Sequence, residues 1–421
     1  MKKSEIRACL KAQRNITAYE LISTKKDSRE LFYVLDHLEI NRAVKVNSDV
    51  IRVYVADGKT TGTSTVTVTA ADDSKTLARK LKNAVKQAKA ARNRYYPLAE
   101  KTVNIRKLSK KKADLNEVAM KVAEAVLKAD VYENGWINST EIFVSAVRKE
   151  FVNSNGTDHI TDGFKIEVEC IPTWSSGKEE FELYKFYESD RLDCDQITKE
   201  VNEILNLAKA RSEAKTLKQV KLPKDIKVLV KNDMLETIIG NLVYDISYRN
   251  VYMKENHYNK GDKVSDNLFT VTLKPSVSGC AASALYDDNG IVLKALPVIK
   301  DGIVKANHGD QRFGYYLGEK KISGKLPVTE LKAEGSTYEK EKHLIIENFS
   351  APQLEENSGY WGGEVRLARY FDGKKYIPLT GFSIAGQIYD DLKKVEFSKE
   401  QTLMSSYKGP KYMIFKGIKI S

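Results

Sequence analysis

Histidine is scarce in this chain, five residues in 421, and the scarcity limits its chemistry. His37, His159, His257, His308 and His343 are scattered, so the chain has none of the paired-His helical motifs that hold a metal ion. Cysteine is as sparse. Cys9, Cys170, Cys194 and Cys280 form no C-x-x-C pair, which indicates neither a zinc knuckle nor a disulfide framework; four reduced, mostly buried thiols are expected. No G-x-S-x-G string, P-loop or Gly-rich dinucleotide turn occurs. No run approaches the roughly 18 apolar residues that cross a bilayer, and Met1-Lys-Lys-Ser-Glu-Ile-Arg7 is followed by no apolar segment of a secretory signal. A soluble, cytoplasmic protein that uses no membrane is expected.

What is present is an ordinary globular composition, 42% hydrophobic, with a net charge of +12 and a pI near 9.1. The length suits about two or three domains. Basic charge favours anionic partners at low salt, but the lysines are spread along the chain. Their densest cluster, Arg106 to Lys112, has no aromatic interleaving and reads as a solvated linker, so nucleic acid is not an expected partner.

The chain is organised around Lys227 to Tyr248, a strand, a cap and then a helix. Val228, Leu229 and Val230 form a short apolar β-type run. Asp233 and Glu236 have the spacing of a reciprocal capping box, and Leu235, Ile238, Ile239, Leu242, Val243 and Ile246 stack on one helical face.

Upstream, Leu31, Val34, Leu35 and Leu38 have amphipathic helical spacing. A hairpin turning at Asp57-Gly58 follows, then a helix capped by Asp72 or Asp73 and ended by Tyr96-Pro97. Asp114 caps another helix, Glu141 to Val152 and Phe164 to Ile171 alternate as strands about the turn at Asn153 to Gly156, Phe181 to Tyr187 adds a strand, and Ile197 to Ala208 marks a helix. The last part is mostly strand. It has an apolar strand from Ile291 to Ile299, a tight turn at Asp301-Gly302, and later strands at His343 to Glu347, Gly363 to Phe371 and Tyr412 to Ile420. The predicted class is α+β. It comprises an N-terminal α/β region at 1–108 with an antiparallel sheet and helices, a middle α+β domain at 109–220, and a β-rich C-terminal domain at 221–421 with a helix near its start.

Chemistry is thin on the residues alone. His308-Gly-Asp310 with Asp287 and Asp288 could converge across a hairpin to bind a cation, although surface turn residues are the preferred reading. Ser405-x-x-Lys408 matches a Ser-Lys pattern that arises by chance in a lysine-rich chain. Trp361-Gly362-Gly363 offers aromatic surface and bare backbone for a ligand-contacting loop, with a packed turn as the favoured alternative.

Several stretches, in the right order, resemble the TldD/PmbA family, known as peptidases and as modulators of DNA gyrase. They are Val53 to Gly62 with its Asp57-Gly58 turn, Ser139 to Gly156, Leu285-Tyr-Asp287-Asp288-Asn-Gly290 followed by Leu296 to Ala306, and Thr380-Gly381-Phe-Ser383-Ile-Ala-Gly386. Active TldD-like subunits carry His-Glu-x-x-x-His on a helix at the start of the last domain, with a Cys near the C-terminus completing a zinc site. Here the corresponding positions are Leu235, Glu236, Gly240 and Asn241, and no Cys follows Cys280. The resemblance therefore implies the PmbA, or TldE, branch: a subunit without a catalytic residue or metal of its own, inactive alone, paired with a zinc-bearing TldD-like partner or forming a homodimer, and acting on small or unfolded peptides. Asp287, Asp288, Gly290 and His308 are its candidate peptide-cleft residues. Two other readings stay open: a basic protein binding nucleic acid or a topoisomerase, and a homodimeric peptidase with an atypical site at Asp287, Asp288 and His308.

Overall fold

The computed structural model describes residues 1–109, 113–129 and 132–421; Lys110 to Lys112 of the basic cluster lie outside them. The chain opens with helix α1 (Lys3–Ala12). A long hairpin follows, β1 (Ala18–Val34) and β2 (His37–Ala56), then β3 (Thr60–Val68), α2 (Ser74–Ala90) and the short strands β4 (Arg92–Arg94) and β5 (Arg106–Lys107). Helix α3 (Leu115–Leu127) leads into a second long hairpin, β6 (Gly135–Asn153) and β7 (Asp158–Ser175), followed by β8 (Glu180–Glu182), β9 (Lys185–Ser189) and α4 (Cys194–Ser212).

These strands make one sheet, ordered β4-β3-β2-β1-β6-β7-β5, with β8 and β9 also on β7. Its centre is the antiparallel pairing of β1 with β6, from Glu20↔Asn153 to Val34↔Ser139. The sheet thus runs without a break across residue 108, and its cores are distinguished by the helices that cover it. α1 and α2 bury Ile6, Leu10, Leu77 and Leu81 against Leu21, Ile51 and Val53. α3 and α4 bury Val122, Val126, Ile197 and Val201 against Leu31, Ile142, Val144 and Ile166.

The spacing of Leu31, Val34, Leu35 and Leu38 does not produce a helix. Leu31 is buried in β1, whereas Val34 and Leu35 are about half exposed at 50% and 47%, at the hairpin turn where Leu35 takes a φ of 54°. Pairing β1 on both edges satisfies more backbone than an isolated helix would, and the strand period wins. Among the sequence-read caps, Asp73 Oδ1 accepts the Thr76 N–H at 2.7 Å, and Asp114 accepts from Asn116 and Glu117. Helix α2 ends at Ala90, ahead of Tyr96-Pro97, because Arg92–Arg94 pairs with β3.

The C-terminal half contains β10 (Lys215–Thr216), β11 (Lys227–Val230), α5 (Asn232–Asp245), α6 (Tyr248–Met253), β12 (Phe269–Lys274), β13 (Leu296–Lys300), β14 (Ile303–Val304), α7 (Gln311–Tyr316), β15 (Val328–Ala333) and β16 (Gly335–Ser336). It continues with β17 (His343–Leu354), β18 (Tyr360–Phe371), β19 (Tyr376–Thr380), β20 (Phe382–Gln387), α8 (Ile388–Asp391), β21 (Glu396–Ser398), β22 (Gln401–Leu403), β23 (Tyr407–Pro410), β24 (Met413–Phe415) and β25 (Lys419–Ile420). One mixed sheet is ordered β10-β19-β18-β17-β11-β24-β21-β16 and a smaller one β14-β13-β12-β15-β23-β22. Helix α5 contributes Leu235, Ile238, Ile239 and Leu242 to the core these sheets share. This agrees with an α+β protein whose last domain is β-rich with a helix near its start.

Four details differ from the sequence reading. Ile291 to Leu293 lies outside the strands, and only Leu296–Lys300 pairs with β12. Phe181 to Tyr187 is two short strands, and Tyr412 to Ile420 contains two short strands separated by a bend. Trp361-Gly362-Gly363 lies inside β18. Trp361 is fully buried, and a Cβ on Gly362 or Gly363 would sit 2.0 Å from the Ile384 carbonyl oxygen or 2.4 Å from that of Ala351. These glycines permit close strand packing and form no ligand loop. Among the described residues no helix is long and apolar enough to cross a membrane.

Candidate functional site

β11 is buried between parallel β17 and antiparallel β24, so it holds the start of α5 in a fixed place. Entry into the helix is made by Asn232 at a φ of 50°. The N-cap is Lys231, with no side-chain cap bond, and the capping box read from Asp233 and Glu236 does not form. The left-handed Asn232 moves the cap upstream, which leaves Asp233 inside the first turn. Lys231 turns inward instead, to a buried ion cluster in which Glu347 pairs with Lys231 and with Arg369. Burial opposes the charge of Glu347, and the two cations outweigh it to hold its carboxyl below the usual range.

The positions corresponding to the zinc motif do not share an exposed face. Leu235 is fully buried. Gly240 is on the outside of α5, where a Cβ would meet nothing within 4 Å. Asn241 is 7% exposed and lies beside the Tyr389 phenol. An aliphatic side chain in the core, a bare Cα and a neutral amide do not fit zinc. Among the described residues no three His, Cys, Asp or Glu side chains come together in a way that could hold a metal ion.

Glu236 is engaged by its own domain. Its carboxylate accepts the hydroxyl of Ser406, which sits in the turn between β22 and β23, closed by the Met404 N–H on the Tyr407 carbonyl at 2.8 Å. Burial raises the Glu236 pKa, the Ser406 bond opposes this, and Asp233 and Glu188 add to the rise. Ser405 and Lys408 form no reacting pair there. The Ser405 carbonyl accepts from Ala282, and Lys408 Nζ lies 3.8 Å from Glu330.

Along the outer side of α5 lies a shallow depression of about 190 Å³ lined by Thr237, Gly240, Asn241, Tyr244, Leu354 and Glu356. One turn further on, the buried Asp245 carboxylate accepts the backbone N–H groups of His257 at 2.8 Å and Tyr258 at 3.0 Å. The His257 ring stacks on Tyr389 with centroids 3.6 Å apart, and its Nδ1 is 3.1 Å from Asp245 Oδ1. This assembly was not legible in the sequence, because its members join α5, the loop after α6 and α8.

The remaining candidates divide between two structural roles. Asp287 is 6% exposed. Its carboxylate closes the Asp287–Gly290 turn by accepting N–H groups from Asn289 at 2.9 Å and Ile291 at 3.0 Å, and it ties in Lys325 N–H at 3.1 Å. Burial nevertheless raises its pKa. Asp288 projects outward from that turn. Gly290, with a φ of 75°, accepts His159 Nε2–H at 2.9 Å through its carbonyl. His308 donates Nε2–H to the Val243 carbonyl at 2.8 Å, and burial lowers its pKa. Its carbonyl receives the Tyr248 N–H at 2.7 Å, so His308 secures the end of α5. The Gly309↔Gly324 bridge sets the His308 segment beside Lys325, whose N–H Asp287 accepts, and Asp287 and His308 each direct polar atoms to backbone groups.

Residues 223–421 match the family described as the PmbA/TldA metallopeptidase C-terminal domain. The whole fold is similar to three solved structures. TldE from Thermococcus kodakarensis superposes with a TM-score of 0.79 at 15% identity, over 100% of this chain and 99% of that one. A candidate modulator of a DNA gyrase from Thermotoga maritima gives 0.77 at 15% identity, over 99% of this chain and 100% of that one. A candidate gyrase modulator from Bacteroides thetaiotaomicron gives 0.78 at 14% identity, over 100% and 97%. No curated protein matches the chain.

Proposed function

We propose, from the premise that this chain belongs to the TldD/PmbA family, that it is the non-catalytic, TldE-like subunit of a metallopeptidase complex that trims or degrades small or unfolded peptides. The observation that carries this reading is the fate of α5. Its buried stripe is intact, while the positions of the zinc motif hold a core leucine, a glycine and an asparagine. The helix thus serves as scaffold. In the complex, zinc belongs to the TldD-like partner, and this chain supplies wall and binding surface to the chamber in which the peptide lies. The depression beside Gly240 and Asn241 is its contribution nearest that helix, with Asn241, Tyr244 and the exposed Glu356 offering polar groups to an extended main chain.

The test is reconstitution. Co-purification with a TldD-like protein, with peptidase activity only in the mixture, is the expected result, together with substoichiometric zinc in the isolated chain. Zinc near one per chain, or chelator-sensitive peptide hydrolysis by this chain alone, overturns the reading.

A further inference from the structure

Folding sorts the positive charge unevenly. Helix α2 carries six cations and no acidic residue, half of the net +12, and no acid occurs from Ser74 to Ala99. In α3, by contrast, two glutamates accompany one lysine, and α4 has three acids and three bases. Five of the α2 cations, Lys75, Arg79, Lys82, Lys86 and Lys89, follow at steps of four, three, four and three residues, which sets them in one line along the helix. All five are exposed, and among the described residues none is ion-paired. The sixth, Lys80, is held by Asp72. The line is turned away from the buried Leu77, Leu81, Ala84, Val85 and Ala88, and at 1.5 Å per residue it is about 21 Å long. It also faces away from the C-terminal half. Leu21 of β1 packs beneath α1 and α2, whereas Glu20, on the other face of the sheet, meets Asn289. Like charges one turn apart oppose helix formation, and a face that serves only solubility mixes both signs, as α4 does. An anionic partner reverses that cost.

We propose that the α2 line docks on the phosphate backbone of a nucleic-acid duplex, without reading its sequence. About 21 Å spans about six phosphates of one strand at roughly 3.4 Å each, which matches a single file of five cations. Other polyanions fit the helix less well. A membrane-surface helix turns its apolar face into the lipid, and α2 has used that face against the sheet. Protein partners are held by buried aromatic and apolar anchors, whereas the exposed residues of α2 are polar or alanine. No aromatic side chain lies on α2, which removes the base stacking that holds single strands and leaves the duplex backbone. This role stands apart from the proposed peptidase reading.

The full chain is titrated into a short fluorescent DNA duplex and followed by anisotropy in a salt series from about 50 mM, where counterion release at five phosphates gives log K against log salt a slope of about −4.5. Two duplexes of unrelated sequence should bind within about twofold of each other. Lys82→Gln with Lys86→Gln is expected to weaken binding about tenfold and to make the slope shallower by about two. Arg79→Gln with Lys89→Gln, an independent pair on the same line, should do the same. Lys260→Gln with Lys320→Gln, exposed lysines of the C-terminal half, makes an equal change in net charge and should leave affinity and slope unchanged. Circular dichroism of all three pairs should match the parent chain. No binding at about 50 mM salt, or equal losses in the line and control pairs, overturns the proposal. Tighter capture by phosphatidylserine vesicles or by polyglutamate than by the duplex, at the same salt, also overturns it and assigns the line to a membrane or an acidic protein.

Discussion

His159 Nε2–H donates to the carbonyl of Gly290 at 2.9 Å, a bond from the second strand of the long β6–β7 hairpin to a turn in the C-terminal half. The other ring nitrogen, Nδ1, accepts the Ile105 N–H at 3.0 Å, so the imidazole is neutral and its tautomer is fixed. Phe151 and Tyr286 flank it, the latter with a centroid 4.6 Å away. The two halves of the chain are thereby joined through a fully buried histidine.

Gly290→Ala tests that joint. The new Cβ would lie 2.2 Å from Phe151 Cε1, and alanine is strained at a φ of 75°. We expect a loss of about 1–3 kcal/mol in denaturant unfolding. Gly58→Ala, at a φ of 85° with nothing within 4 Å, carries the backbone strain without the clash and should lose less.

His159 also gives a pH dependence. Burial, its largest influence, lowers its pKa from 6.5, so the unfolded chain takes up the proton first as pH falls. Its contribution to stability is therefore fully present above about 6.5 and is lost as the pH drops toward the folded value. Denaturation midpoints measured from pH 7.5 to 5.5 should fall more steeply for the parent chain than for His159→Gln. Equal slopes would remove His159 as the cause.

Glu347 is buried between Lys231 and Arg369. Replacing it by alanine leaves Lys231 and Arg369 in the interior without their shared anion, and a loss of about 3–5 kcal/mol is expected. Thermal unfolding of Glu347→Ala beside Lys374→Ala, an exposed residue, provides the comparison.

Glu236→Gln separates scaffold from catalyst. The carboxylate accepts Ser406 and sits at a raised pKa caused chiefly by burial, and glutamine keeps an acceptor there. In a reconstituted complex with a TldD-like partner we expect kcat/KM within about twofold of the parent. Loss of a general base costs about 10²–10⁴-fold, so a drop of that size would place Glu236 in the chemistry.

The legible parts of the fold were those whose cause is local. Asp73 and Asp114 cap because an oxygen near the first helical N–H groups needs no distant partner, and Asp57-Gly58 and Asp301-Gly302 turn because left-handed backbone is available there. The α5 stripe was legible for the same reason. The capping box failed because tertiary pairing of β11 put Asn232 into the left-handed region, and the Leu31 to Leu38 helix failed because β6 claimed the other edge of β1.

By itself the sequence determined that no imidazole lies on α5, since the chain has no His between His159 and His257, and it determined the strands and helices with strong periodicity. Tertiary structure decided what the polar residues do instead. Asp287, His159 and His308 are spent on backbone groups, Glu236 on Ser406 and Lys231 on Glu347. Apart from Asn289 and Ile291, which Asp287 holds within its own turn, each partner lies tens of residues or more away, and no local pattern of spacing encodes which buried polar group a folded chain brings to which.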